Sequence, residues 1–345
     1  MTKHKDRNRL PAEWELQDAV LLAWPHQNTD WAPMLEEVEA VYLEMTRKIT
    51  GFEPVIIVAP EADRLQERLL REHIDLTRVT LLNIDTNDTW IRDFGPFIIH
   101  QKSHIQLLNF TFNAWGSKFS AEKDNLVTEK LHTSGVFGKL PRLDIDLVLE
   151  GGSIEVDGRG TLLTTSQCLL NQNRNPLLNR NQLEEQLSVY FGIDHFLWLD
   201  HGSLSGDDTD AHIDTLARLC PNDTIVFVSC PDQDDVHFQD FKMMENQLRS
   251  FATRKGQPFR LLPLPWPRAC LEGGQRLPAT YANFLIINKA VLVPTYRDPS
   301  DAIALRTISE AFPQREVIGI DCRPLIKQHG SLHCATMQLP RGVLT

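Results

Sequence analysis

The sequence lacks the patterns that mark many metal-binding, nucleotide-binding and membrane-spanning proteins. Its six cysteines form no CxxC pair, and no HExxH, GxGxxG or GxxxxGK motif is present, which argues against a zinc site and a phosphate-binding loop. No apolar run approaches the roughly 18 residues that a membrane span needs. The formal net charge is -11 and no basic stripe is visible, so we expect neither nucleic acid nor a membrane as a partner.

The N-terminal segment "MTKHKDRNRLPAEWE" is basic, but no apolar stretch follows its charges. We therefore expect no signal peptide, and a cytoplasmic protein in which disulfides are rare. Most of the cysteines should then be free thiols that pack like small apolar residues. They are Cys168, Cys220, Cys230, Cys270, Cys322 and Cys334.

In the chain of 345 residues, the first predicted elements are a helix, a strand and a second helix. Residues 31–50 carry apolar side chains at three-and-four spacing, which predicts an amphipathic helix. The β-branched run in "EPVIIVAP" predicts a buried strand, and "EADRLQERLLREH" predicts the next helix.

A pattern of apolar run, tight turn and apolar run then recurs, starting near residues 90, 150, 212, 281 and 332. The predicted turns are Lys102 with Ser103, "DGRG", "PND" and "NK", and the copy at the chain end is shorter. Helices are predicted in "NRNQLEEQLSVYF", "HFQDFKMMENQLRSF" and "PSDAIALRTISEAF". This loose period fits repeated supersecondary units, with a propeller among the options. A single α/β sheet without internal symmetry is the alternative.

Polar residues stand where the units begin. Asp88, Arg92 and Asp93 lie in "NDTWIRDFGP", Glu150 ends an apolar run, and "GDDTDAHIDT" holds His212 and Asp214. If His212 and Asp214 lie on a strand, their spacing of two puts both on one face. The oxygen spacing of a calcium loop is absent, and we expect no metal. Each residue taken alone also fits a salt bridge, a turn or a helix cap.

Together they suggest thiol chemistry on a cationic substrate. Cysteine, histidine and several carboxylates are the equipment of covalent catalysis. Uncompensated carboxylates near Cys334 would raise the pKa of its thiol, unless the substrate itself is a cation. A guanidinium pairs with carboxylates through two hydrogen bonds at once. The residues therefore favour a guanidine-modifying enzyme over a protease.

The sequence resembles agmatine deiminase and, more broadly, the bacterial peptidylarginine-deiminase-type family of guanidine-modifying enzymes. The motifs that carry the resemblance run from about residue 11 to 340, in the family's order. They are "PAEWE", "NDTWIRDFGP", "LEGGSIEVDGRGTLLTT", "NRNP", "DDTDAHID", "YANFLIIN", "VLVPTY", "DPSDAIAL", "REVIGID" and "GSLHCATMQLP".

The resemblance implies one domain over residues 1–345, a five-bladed, pseudo-symmetric α/β propeller of the pentein type. By motif position, Cys334 matches the nucleophile and His212 the general acid and base. Asp93 and Asp214 match the aspartates that bind the guanidinium. Glu150 matches an acid close to the substrate, and Trp90 and Arg92 are expected near the first aspartate, Asp93, as further substrate-binding residues. His333, beside the nucleophile, is expected to be structural.

Two departures from the family pattern concern glycines. Ala211 precedes the catalytic histidine where relatives often have glycine, and "NAWGSKF" lacks the second glycine of "WGG". The implied reaction converts agmatine into N-carbamoylputrescine and ammonia through a covalent amidino-cysteine, with no cofactor.

Other substrates and functions stay open at this point. They are peptidyl arginine, free arginine or another small guanidine, a non-catalytic binding protein, and a Cys-His amide hydrolase. A homo-oligomer is also left open.

Overall fold

The computed structural model describes residues 8–101 and 104–344. The strands in these ranges are β1 (Gln17–Ala23), β2 (Val55–Ala59), β3 (Val79–Asn83), β4 (Phe97–Gln101), β5 (His104–Thr111), β6 (Arg142–Val148), β7 (Ile154–Val156), β8 (Thr161–Thr165), β9 (His195–Leu199), β10 (Ala217–Cys220), β11 (Thr224–Val228), β12 (Arg260–Leu264), β13 (Leu271–Glu272), β14 (Gln275–Arg276), β15 (Leu285–Ile287), β16 (Ala290–Thr295), β17 (Glu316–Asp321) and β18 (Thr336–Pro340). The helices are α1 (Leu35–Thr50), α2 (Ala62–Arg71), α3 (Ile91–Phe94), α4 (Ala114–Ser117), α5 (Val127–Thr133), α6 (Ser166–Leu169), α7 (Arg180–Phe191), α8 (Phe238–Ser250) and α9 (Asp301–Ala311).

Four sheets share one strand order. They are β4-β5-β6, β7-β8-β9, β10-β11-β12 and β15-β16-β17. In each sheet the first two strands pair as an antiparallel hairpin, and the third pairs in parallel with the second. A parallel partner requires a crossover, and α5, α7, α8 and α9 occupy these four connections.

A fifth sheet has the same order but is made from both ends of the chain. Strand β18 pairs antiparallel with β1, and β2 and then β3 follow in parallel. The prediction of a closing strand, turn and strand at the C-terminus was therefore wrong, because the partner of β18 is the first strand of the chain. The prediction that the chain opens with a helix was also wrong, since β1 precedes α1.

The other unit predictions are confirmed. The first strands begin at residues 97, 154, 217, 285 and 336, a few residues after the predicted starts. The turns "DGRG", "PND" and "NK" join hairpins, whereas the predicted turn at Lys102 and Ser103 lies outside the described residues. The alternative of a single sheet is wrong, because the described strands form separate sheets within a mixed α/β fold.

Most of the central strands of the sheets are buried, whereas the outer strands β3, β6, β12 and β17 are partly exposed. Every residue of β2, β8 and β11 is buried, as expected for strands with apolar residues on both faces. Helix α1 buries the stripe that includes Val38, Tyr42 and Met45, the face predicted from its periodicity. Within the described ranges, no helix has both the length and the apolar character needed to cross a membrane.

Candidate active site

The candidate site is built from the segment that leads into the first strand of each sheet. These segments carry Asp93 before β4, Glu150 before β7, His212 and Asp214 before β10, Asn283 before β15, and Cys334 before β18. The five sheets thus deliver their polar residues from equivalent positions. The structure brings together the four residues predicted to carry the chemistry, Cys334, His212, Asp93 and Asp214.

Gly152 shows how closely three of these groups approach one another. A Cβ atom placed on Gly152 would lie 2.6 Å from His212 Nδ1, and 3.0 Å from both Asp214 Oδ2 and Asp93 Oδ1. These distances are shorter than van der Waals contact, so no side chain fits here without displacing one of the groups. The glycine that follows Glu150 therefore serves close packing at the centre of the site.

Asp93 is fixed by two neutral donors. Its Oδ1 accepts a hydrogen bond from the Gly152 backbone N–H at 2.9 Å, and its Oδ2 accepts one from Trp115 Nε1 at 2.9 Å. Burial raises the pKa of Asp93 to about 6, against the opposing charge of His212. The nearby carboxylates of Asp214 and Glu150 add to this rise. Asp93 is thus an acid whose ionised form gains from a bound cation.

His212 is buried among carboxylates. Its Nε2 lies 3.1 Å from Glu150 Oε2, and its Nδ1 lies 3.7 Å from Asp93 Oδ1 and has no hydrogen-bond partner among the described residues. Burial works to lower the pKa of His212, but the charge of Asp93 and hydrogen bonds with Cys168 and Glu150 outweigh it, so the pKa is well above its usual value. The ring therefore holds a proton next to the site.

The strand predicted for His212 and Asp214 was wrong, since Ile213–Thr215 is a 3-10 turn. Both side chains nevertheless reach the same centre, as Gly152 shows. The spacing of two therefore correctly predicted that His212 and Asp214 share a site, although the local structure is a 3-10 helix and not a strand.

Glu150 is anchored by Arg174, a residue that sequence reasoning did not single out. Arg174 Nε donates to both carboxylate oxygens at 3.0 and 2.8 Å, and Arg174 Nη1 donates to Asp210 at 2.7 Å. Burial acts to raise the pKa of Glu150, but His212 and Arg174 together leave it lowered. Glu150 thus stays ionised and orients His212, and the motif "NRNP" was the signal that could have found Arg174.

Glu150, Cys168 and His212 also form a group that could hold a metal ion, since one ligand atom from each lies within 4.8 Å of the others. The guanidinium of Arg174 already occupies the Glu150 carboxylate. A metal cation there would meet a like charge, which disfavours its binding.

Cys334 is 5% exposed, and two polar side chains contact its thiol. Asn283 Nδ2 donates to Sγ at 3.2 Å, and Sγ lies 3.7 Å from Asp214 Oδ2. Burial raises the pKa of the Cys334 thiol well above its usual value, and the charges of Asp214 and Asp93 add to this. The thiol therefore needs a positive charge nearby before it ionises. Asn283 was missed, although it lies in the motif "YANFLIIN".

Asp214 receives a hydrogen bond from His333, whose Nδ1 lies 2.7 Å from Asp214 Oδ2. The other oxygen of Asp214, Oδ1, is buried and has no hydrogen-bond partner within residues 8–101 and 104–344. Burial acts to raise the pKa of Asp214, but His333 lowers it below the usual value. Asp214 thus differs from Asp93 in being held ionised before any substrate binds.

A cavity of about 100 Å³ opens from Cys334 toward the surface. Its lining includes Asp93, Trp115 and the predicted Trp90 on the inner side, and its other lining residues are Asp30, Asp88, Phe119, Asp208, Thr209, Thr215, Gln328, His329 and Gly330. Arg92 does not line this cavity, because its guanidinium contacts Glu13, Gln338 and the His333 carbonyl. The expectation that Arg92 binds the substrate is therefore not matched by its position.

Both departures from family glycines fall at left-handed backbone positions. Ala211 has φ of 64°, and Ser117, at the second glycine of "WGG", also has φ of 64°. Glycine adopts this region without strain, whereas residues with a Cβ do not. Both substitutions therefore cost backbone energy in segments that border the site.

A family model for Porphyromonas-type peptidyl-arginine deiminase matches residues 9–340. The chain belongs to this family. It is 34% identical over 361 residues to a Shewanella frigidimarina protein named "putative agmatine deiminase", covering 98% of this chain and 95% of that one.

Two solved structures are also similar to this chain. An agmatine deiminase of C. jejuni with substrate bound has 39% identity and a TM-score of 0.91, with 99% of each chain covered. The "putative arginine deiminase" of Porphyromonas gingivalis has 47% identity and a TM-score of 0.93, with 98% of this chain and 100% of that one covered. The chain is thus an enzyme of the guanidine-modifying type, as the sequence motifs predicted.

Proposed function

We propose that this enzyme hydrolyses agmatine to N-carbamoylputrescine and ammonia, a step towards putrescine. The observation that carries the proposal is the convergence of Cys334, His212, Asp93 and Asp214, of which Cys334 and Asp93 line one cavity. A thiol nucleophile, a protonated histidine and two carboxylates are the groups that deimination of a guanidinium needs.

Asp93 and Asp214 bind the guanidinium. Asp214 is ionised through its contact with His333, and its free Oδ1 offers a buried acceptor. Asp93 ionises as the cation arrives, because burial holds its pKa at about 6. Paired carboxylates fix the guanidinium plane, so that the central carbon faces Cys334.

The covalent half-reaction begins with the Cys334 thiolate, which the bound cation stabilises. Its sulfur forms a bond to the guanidinium carbon, and the carbon's double bond to nitrogen becomes a single bond. His212 donates its proton to the departing nitrogen, and the C–N bond breaks to release ammonia as a double bond to one of the remaining nitrogens re-forms. An amidino-thioether on Cys334 remains, and dividing the reaction in this way lowers its barrier.

The second half-reaction restores the enzyme. Neutral His212 takes a proton from water while the water oxygen bonds to the same carbon, and that carbon's double bond to nitrogen becomes a single bond. The C–S bond then breaks and returns the thiolate, and the carbon becomes the carbonyl of the product. The remaining hydroxyl proton leaves with ammonia as ammonium. Glu150 assists both steps by holding His212 in place through its 3.1 Å contact.

The choice of agmatine over other guanidines is supported by the acidic residues that line the cavity. Asp88 lines the cavity together with Asp30 and Asp208. Burial raises the pKa of Asp88 to about 7, and the charges of the other two aspartates contribute. A second cation on the substrate would relieve this repulsion, whereas the carboxylate of free arginine would increase it. Agmatine carries such a cation at the end opposite its guanidinium.

We also propose that residues 1–345 form one five-bladed α/β propeller. Five sheets with the same pairing order support this arrangement, and β18 with β1 joins the last unit to the first. The delivery of site residues from the same place in each sheet is what rotational pseudo-symmetry requires.

Steady-state ammonia release from agmatine, free arginine and a blocked peptidyl arginine tests the function. We expect the highest kcat/KM for agmatine. A higher value for either other substrate would replace agmatine while keeping the chemistry. No ammonia from any of them would favour a binding protein, and agmatine protection of Cys334 against thiol labelling without turnover would support that result.

A further inference from the structure

Behind Asp214 lies a largely buried charged cluster, of which the proposed mechanism uses only His333. It consists of Glu13, Arg92, Arg218, His333 and Gln338, and Glu13 lies at its centre. One Glu13 oxygen contacts His333 and Arg92, and the other accepts from Arg218 at 2.6 Å and from Gln338 at 3.0 Å. All the donors that surround this carboxylate therefore come from distant parts of the chain.

His333 bridges this cluster to the active site. Its Nδ1 lies 2.7 Å from Asp214 Oδ2, and its Nε2 lies 2.7 Å from Glu13 Oε1. The ring is fully buried, so water does not replace either contact. Two nitrogen–carboxylate contacts this short each require a proton, whereas a neutral imidazole carries only one.

We propose that Glu13 and His333 are positioning residues for deimination, and that Glu13 holds His333 as an imidazolium whose second N–H fixes the guanidinium-binding Asp214. Asp214 Oδ2 is then committed to His333, and Oδ1 is left for the substrate. The backbone N–H groups of His333 and Cys334 both donate to Asn283 Oδ1. The same bridge therefore also supports the segment that carries the nucleophile.

Charged groups face the ring of His333 from both sides. Asp214 and Glu13 contact it with their carboxylates, and Arg92 and Arg218 pair with Glu13. Arg218 also pairs with Glu155, whose pKa is raised by burial to about 8. Burial and the charges of Arg218 and Arg92 lower the pKa of His333, so the imidazolium is inferred from the two short ring contacts, each of which needs its own N–H.

The contrast between the two site aspartates shows what the bridge does. Asp93 accepts only neutral donors, Trp115 and the Gly152 N–H, and burial raises its pKa. Asp214 is as deeply buried but accepts from His333, and its pKa is lowered. Without the bridge, Asp214 would behave like Asp93, and the empty site would lose its ionised carboxylate.

The first test is the protonation of His333 in the wild-type enzyme. Nitrogen-15 NMR of histidine-labelled protein, with His333 assigned by the signals lost in His333→Gln, should find both ring nitrogens protonated at pH 7. A single protonated nitrogen would overturn the proposal. This measurement needs no substrate, so it tests the imidazolium independently of agmatine turnover. The role in deimination rests on the proposed function and would be lost if no ammonia were released from agmatine.

The second test is Glu13→Gln, which keeps the shape of the side chain and removes its charge. His333 should then hold one proton, and KM for agmatine should rise about tenfold, as is common when the outer partner of a binding group is lost. The acidic limb of kcat/KM should also steepen, because a second carboxylate then titrates.

Glu15→Gln is the matched control. Glu15 lies two residues away and pairs with Arg9 outside the cluster, so its variant should keep the wild-type KM and pH profile. A structural role alone would lower the fraction of active enzyme in Glu13→Gln and leave KM unchanged, and that result would contradict the proposal.

Discussion

Replacing Gly152 by alanine adds one methyl group at the point where three active-site groups converge. The new Cβ would lie 2.6 Å from His212 Nδ1 and 3.0 Å from the nearest oxygens of Asp93 and Asp214. Ordinary contact begins near 3.4 Å, so His212 must retreat by about 0.8 Å and each carboxylate by about 0.4 Å. The backbone of Gly152 is not left-handed, so the effect comes from space alone.

Displacements of this size should affect catalysis more than stability. A misplacement of about 1 Å in a catalytic group can cost roughly 100-fold in rate, which corresponds to about 2.7 kcal/mol of transition-state stabilisation. Extra volume in a packed interior typically costs about 1–3 kcal/mol of folding free energy. We expect kcat/KM for agmatine to fall about 100-fold in a protein that still unfolds cooperatively.

Ammonia release and thermal unfolding of the same preparation separate the two effects. Gly135→Ala is the control, since Gly135 has φ of 81° and no atom within 4 Å of its added Cβ. It should lose roughly 1 kcal/mol of stability from backbone strain and keep full activity. If Gly152→Ala retains near-normal kcat/KM, the three groups do not act together at this point.

The other predictions concern single groups in the site and its border. Cys334→Ser should fold normally and lose nearly all ammonia release; near-normal turnover would remove Cys334 as the nucleophile. Wild-type KM should fall as the pH rises through about 6, where Asp93 ionises, whereas Asp93→Asn should bind weakly at all pH values; an unaltered kcat/KM would exclude Asp93. Asp88→Asn should raise KM about tenfold for agmatine, the scale of one charged hydrogen bond, and leave n-butylguanidine unchanged; equal effects on both would show that Asp88 does not contact the distal amine. Ala211→Gly should raise the free energy of unfolding by roughly 0.5–1 kcal/mol by relieving its left-handed backbone, and a loss in urea titration would contradict that strain.

Local sequence patterns predicted the repeating units because the two strands of each hairpin follow one another directly in the sequence. "DGRG", "PND" and "NK" are turns flanked by apolar runs, and each joins two strands of one sheet. The pairing of β18 with β1 could not be predicted this way. Its two strands are more than 300 residues apart, and nothing in either one specifies the other.

The motifs also brought out the residues whose chemistry is unusual for a protein interior. A cysteine, a histidine and two aspartates in apolar surroundings invite a functional interpretation, and all four meet in the structure. Asn283 and Arg174 were missed because an amide and an arginine are common on surfaces. Their importance comes from what they contact, the Cys334 thiol and the Glu150 carboxylate.

The stretch around Cys334 shows which properties follow from the sequence and which follow from the tertiary structure. The sequence by itself determined the type of each side chain, the order of the motifs and the family to which they belong, because these depend only on the chain. The tertiary structure decided that His212, far away in sequence, lies in the centre of the site. It also decided that His333, the immediate neighbour of the thiol, faces Asp214 and Glu13 instead. Protonation and reactivity depend on the distances between groups and on their burial. These groups are far apart in the sequence, and only folding brings them close to one another.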